Sequence, residues 1–169
     1  PRFSRHEGQP REIGMPEPVR ELVRARRPAP VWTTGPAEVA PGLFATGPIP
    51  RGQAFEDTGG PFFLDRDGTV PDPIEDDQAM WIETPRGSVV LLGCAHSGVV
   101  NTLDRIRELT GGRAIRAVVG GMHLGSASDE RMARTIETLG RLDMVGLWPC
   151  HCTGRAAAAK LAAAFGARC

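Results

Sequence analysis

The alternation of apolar and polar positions is clearest in the second half of the chain. Residues 79–84 and 88–92 are two short β-rich runs joined by Pro85-Arg86-Gly87, a sequence suited to a tight turn, and they predict a hairpin. Beyond Gly93 the period lengthens. Leu103, Ile106 and Leu109 recur at helical spacing within 101–109, and Gly111-Gly112 closes that element. The unbroken apolar run at 115–119 predicts a buried strand. Ser128 as N-cap, Asp129 and Glu130 at the positive end of the helix dipole, and Met132, Ile136 and Leu139 on one face predict the next helix, ended by Gly140. A strand over 144–148 and an alanine-rich helix opening at Thr153-Gly154, with Leu161 and Phe165 for docking, complete the pattern. Strand, loop and helix repeated three times predict an α/β layered sheet with helices packed on it.

The first half carries weaker signals. Residues 1–16 are rich in Arg, Gly and Pro and predict an irregular lead-in. A short helix is expected over 17–27, with Leu22 and Val23 as its apolar anchors and Pro28 and Pro30 ending it. Val31-Trp32-Thr33 and Leu43-Phe44-Ala45-Thr46 read as strands. Residues 47–73 read as one long loop, and such loops in compact domains tend to be functional, so it is expected near the site.

Length and charge bound the function classes. A chain of 169 residues fits one domain over 1–169 and is long enough to bury a core. Lys+Arg and Asp+Glu both number 20, so no net field argues for a nucleic acid or a membrane surface as partner. The cluster Arg20, Arg24, Arg26 and Arg27 reads as a solvated helix face. No apolar run approaches the ~20 residues that span a bilayer, and nothing resembles a signal peptide. The expectation is a cytoplasmic protein acting on a small-molecule substrate. The chain opens on Pro1-Arg2-Phe3 without an initiator methionine, which reads as a processed or truncated start.

The chemistry gathers around histidine. Gly93-Cys94-Ala95-His96-Ser97-Gly98 follows one predicted strand, Gly120-Gly121-Met122-His123 the next, and Pro149-Cys150-His151 the last. Ligands of open α/β sheets bind beyond the carboxyl ends of the strands, so three imidazoles delivered there can converge on one site. Neutral imidazole is the commonest protein metal ligand, which makes a metal the natural guest. His6, in an arginine-rich irregular segment, reads as solvent-exposed. Cys94, Cys150 and Cys152 flank the histidines. Cys150-His151-Cys152 lacks Cys-x-x-Cys spacing, so small, reduced, buried thiols are the simpler reading and thiolate ligation the alternative.

These motifs match a family. Residues 93–102 (GCAHSGVVNT), 120–124 (GGMHL) and 151–154 (HCTG), with Ile13-Gly14-Met15-Pro16, 46–51 (TGPIPR) and Asp76-Asp77-Gln78-Ala79 upstream, resemble the metallo-β-lactamase superfamily. The branch they resemble is the one named for dihydropterin ribofuranosylaminobenzene phosphate synthase. The resemblance implies an αββα sandwich with a metal site, usually of two ions, at one edge of the sheets. By position, His96 is implied as a ligand of the first metal and His151 of the second. His123 falls where other branches place a bridging acidic residue or a cysteine, and is implied at the reaction centre as a catalytic, substrate-contacting or ligating residue.

The implied cofactor is a divalent metal, zinc first, with iron or manganese as alternatives. The implied chemistry is hydrolysis of an ester, amide or phosphate bond by metal-activated water. The family's main ligand cluster, His-x-His-x-Asp-His, has no counterpart in the chain. The expectation is therefore the C-terminal part of an α/β sandwich without its N-terminal ligand-bearing half, inactive or weakly active alone. A homo-oligomer or the missing N-terminal segment is the expected structural partner. A non-catalytic metal-binding or assembly module is the alternative.

Overall fold

The computed structural model describes residues 2–5, 8–26 and 29–169. His6, Arg27 and Pro28, about which the sequence raised expectations, lie outside the described residues. In chain order the elements are β1 (Phe3–Ser4), β2 (Arg11–Glu12), α1 (Glu17–Ala25), β3 (Ala37–Ala40), β4 (Leu43–Ala45), β5 (Phe62–Phe63), β6 (Ala79–Thr84), β7 (Gly87–Leu92), α2 (Val99–Leu109), β8 (Ile115–Gly121), α3 (Asp129–Gly140), β9 (Gly146–Cys150) and α4 (Arg155–Phe165). A single 3-10 turn, His151–Thr153, joins β9 to α4. They form two compact units: Pro1–Thr33 with Gly60–Pro73, and Thr34–Gly59 with Ile74–Cys169.

The smaller unit is a three-stranded sheet in the order β2-β1-β5. Phe3 is its buried apolar residue, and Arg2 Nε pairs with the buried Asp72 carboxylate at 2.6 Å. Helix α1 begins where expected, but Leu22 is 67% exposed and Arg26 is already extended. Leu22 therefore does not anchor it.

The larger unit is one mixed sheet in the order β3-β4-β6-β7-β8-β9. The β3-β4 and β6-β7 pairs are antiparallel hairpins, and β7, β8 and β9 run parallel. Pairing registers Trp81, Val90, Val118 and Leu147 in one row across four strands, and all four are buried. Helices α2, α3 and α4 pack on that row through Leu103, Ile106, Met132, Leu139, Leu161 and Phe165. Each such buried apolar side chain contributes roughly 1.5–3 kcal/mol. The opposite face carries Met80, Ile82 and Trp148, exposed at 40%, 37% and 52%. This is an α/β layer with helices on one face of its sheet.

Two of these expectations are corrected in detail, and one strand has no counterpart among them. Val31 and Trp32 lie outside any strand and are largely exposed, because strand formation depends on cross-strand pairing more than on local β-propensity. β3 was invisible in Ala37–Ala40, a run without bulky β-formers. It exists because Pro41-Gly42 turns it onto β4, with Gly42 N–H donating to Glu38 Oε1. The last strand starts two residues later than its apolar run, since parallel register with β8 sets it from Gly146 to Cys150. That shift delivers His151 directly at the strand's end.

Candidate metal centre

Parallel β7, β8 and β9 end at one edge of the sheet, and the three histidines follow them there. The His96 and His123 rings are neighbours, with centroids 4.1 Å apart. Ligand-capable atoms of Cys94, His96 and His123 lie within 4.8 Å of one another, and so do those of Cys94, His151 and Cys152. Cys94 belongs to both groups. Of the four non-glycine residues with left-handed backbone among the described residues, Ala95, His123 and His151 are here. Strained backbone of this kind persists only where the surroundings enforce it, and it concentrates at functional sites.

The enforcing structure comes largely from residues 47–59. Thr58 O meets His96 Nδ1 at 2.9 Å, and Gly59 O meets His123 Nε2 at 3.1 Å. A carbonyl holding one ring nitrogen as N–H sets the tautomer in which the other carries the lone pair, a common outer arrangement around metal-ligating histidine. Asp57 Oδ1 accepts from Gly59 N and from Arg131 Nη1, the latter at 2.5 Å, and Ser126 Oγ donates to Gly59 O. Arg131 is buried on α3, with Nε and Nη2 making no hydrogen bond.

The Cys94–Gly98 turn is fixed with equal care. Glu56 Oε1 and Oε2 accept the Val100 and Asn101 N–H groups at 2.9 and 2.8 Å, capping α2 from a distant segment where Gly98 has no side chain to do so. Gly98 has φ 102°, and any Cβ there would collide with the Glu56 carboxyl. Asn101 Oδ1 accepts from Gly52 and Gln53 N–H, and its Nδ2 donates to Ser97 O. Asp77 Oδ2 accepts Ser97 N–H at 2.6 Å, and Arg51 Nη2 donates to His96 O at 2.9 Å. Sequence reasoning missed Arg51, Glu56, Asp77, Asn101 and Arg131. Arg51, Asp77 and Asn101 lie inside the motifs quoted for the family resemblance, which is the signal that could have found them, whereas Glu56 and Arg131 lie outside those motifs and carried none.

Burial, and then the neighbouring His96, lowers the pKa of His123, so its imidazole is neutral near pH 7. Burial, and then Cys152, pushes the Cys94 thiol up to about 11. Glu56 is raised by burial, against its two backbone hydrogen bonds and Arg131. Imidazoles of which two are held through one ring nitrogen by a carbonyl, beside thiols, are a donor set suited to zinc or another borderline cation, so the residues present fit a metal.

The fold and this edge-of-sheet donor cluster match part of a metallo-β-lactamase domain, and it is the metallo-β-lactamase superfamily that the chain resembles. It superimposes on Tm1679, a metal-dependent hydrolase of the β-lactamase superfamily, with a TM-score of 0.71 and 33% identity, over 82% of this chain and 54% of that one. Among curated proteins it is 31% identical over 128 residues to the 7,8-dihydropterin-6-methyl-4-(β-D-ribofuranosyl)-aminobenzene-5'-phosphate synthase of Methanocaldococcus jannaschii, covering 73% of this chain and 44% of that protein. It is 28% identical over 152 residues to an uncharacterized protein of the same organism, covering 89% of this chain and 55% of that protein. The chain thus spans about half the length of the relatives it matches. No protein-family model matches it. None of its described helices is long and apolar enough to cross a membrane.

Proposed function

We propose that this chain carries part of the reaction centre of a metal-dependent hydrolase acting on an ester, amide or phosphate bond of a small molecule. The observation that supports this reading is the gathering of His96, His123 and His151 around Cys94 at the ends of three neighbouring parallel strands. When bound, a divalent cation, zinc first, supplies a water of lowered pKa and stabilises the developing oxyanion. His96 and His151 are read as ligands. His123, a neutral ring held through Nε2, is read as a catalytic residue that orients substrate or accepts a proton. Thr58 and Gly59 fix the orientations of both rings through their carbonyls.

The His-x-His-x-Asp-His cluster of the resembled family has no counterpart in the sequence, so in this reading the chain alone is expected to be inactive or weakly active. The setting read for this chemistry is the cytoplasm, where cysteine thiols stay reduced. The test is elemental analysis of the purified chain beside His96→Ala and His151→Ala, with turnover of nitrophenyl esters and phosphodiesters. Metal retained by the parent and lost in both variants is expected. A parent that retains no divalent metal would sink the reading.

A second reading, an assembly module, is favoured by the exposed Met80, Ile82 and Trp148 on the face away from the helices. In this reading a complementary sheet covers that face, consistent with relatives about twice as long.

A further inference from the structure

We propose that Cys94 and Cys152 are thiolate ligands which, with His151, form a sulfur-rich cation position beyond the ends of β7 and β9. The inference deepens the hydrolase reading and rests on it only for the presence of a cation at this edge of the sheet.

Three observations carry it. The ligand-capable atoms of Cys94, His151 and Cys152 lie within 4.8 Å of one another, although Cys94 is 58 residues from Cys152. The two cysteines come from different strand ends, and the Cys152 thiol turns back to donate to Cys94 O at 3.5 Å. The site is also kept open for sulfur. A Cβ on Gly121 would stand 2.5 Å from Gly93 O, 2.7 Å from Cys152 Sγ and 3.3 Å from the Cys94 Cα, so the glycine at the end of β8 makes room both for the close approach of the Gly93 backbone and for the thiol. His151 accepts left-handed backbone at φ 49° immediately before Cys152. The neighbouring exposed Cys150 belongs to neither donor group. The lack of Cys-x-x-Cys spacing in Cys150-His151-Cys152 is therefore no bar to thiolate ligation: His151 and Cys152 serve the site, and Cys94 supplies the second thiol.

Two thiolates and an imidazole suit a borderline or soft divalent ion such as zinc, with cobalt or cadmium as probes. Each thiol loses its proton to solvent as its sulfur–metal bond forms, with no change of oxidation state. Because Cys94 is shared with the His96 and His123 group, its sulfur can serve both positions at the sheet edge.

The experiment is an anaerobic cobalt(II) titration of the reduced chain, followed in the near ultraviolet where thiolate-to-cobalt charge transfer absorbs. The expected result is a saturable charge-transfer band that falls by half or more in Cys94→Ser and in Cys152→Ser and persists in Cys150→Ser and Cys169→Ser. Circular dichroism checks that each variant is folded. On the unmodified chain, cadmium should shield Cys94 and Cys152, but not Cys150, from alkylation read by mass spectrometry. Cobalt bound without that band, equal alkylation of all four thiols with cadmium present, or no cobalt uptake overturns the proposal. Metal uptake that depends on His96 but shows no thiolate signature would remove this inference alone. A thiolate band intact in a chain that hydrolyses nothing, even when joined to the rest of its fold, would remove the hydrolase reading alone.

Discussion

His96 and His123 stand ring to ring, 4.1 Å between centroids, and each is held by one of two consecutive carbonyls, Thr58 O and Gly59 O. Two histidines from different strands are thus positioned by a single dipeptide of a distant segment. Gly59 has φ 78°, and a Cβ there would collide with the His123 ring. Because the displaced ring abuts that of the proposed ligand His96, Gly59→Ala is expected to weaken metal affinity about 10–100-fold, as loss of an outer support does. Competition against a chromogenic chelator measures it, and unchanged affinity would show that this support is dispensable.

Arg131 and Asp57 make an unequal pair: the guanidinium is 1% exposed and the carboxylate 72%. Removing the carboxylate strands a buried charge, whereas removing the arginine leaves a solvated acid. Asp57→Ala should therefore cost on the order of 2–3 kcal/mol in urea denaturation and Arg131→Met clearly less. The reverse order would contradict this account.

Glu56 gives the fold a pH dependence. Its folded pKa is raised by burial; around it, Arg131 from α3 lowers the value and Asp104 from α2 raises it. A raised carboxyl binds its proton more tightly in the folded than in the unfolded chain. Its contribution is fully present below the unfolded value, roughly 4.3, and is lost as pH rises through the folded one. The stability of the parent relative to Glu56→Gln should fall across that window. Denaturation midpoints that move the other way would show that the helix cap outweighs burial.

The face bearing Met80, Ile82 and Trp148 should make the chain self-associate on its own. Replacing Met80 and Trp148 with lysine is expected to shift its light-scattering mass toward that of the monomer. A parent that is monomeric at high micromolar concentration would argue that this face needs no cover.

The sequence by itself determined the repeated strand, loop and helix of the second half, because the helix stripes and buried strands there are written in local periodicity, and Ser128 does cap α3 as read. It also placed His96, His123 and His151 after successive strands. Only tertiary structure decided which of these atoms meet. Strand order and parallel register put His123 beside His96 and His151 beside Cys94 and Cys152, and pairing moved the last strand to end at Cys150. The expected loop also resolved only in three dimensions, with residues 47–59 supplying the cap and carbonyls of the site and Gly60–Pro73 belonging to the smaller unit. The physical reason is range. Periodicity and capping act over one or two turns, whereas Glu56 reaches Asn101 across 45 residues and Arg131 reaches Asp57 across 74. Contacts at such separations leave no local trace until the chain has closed on itself.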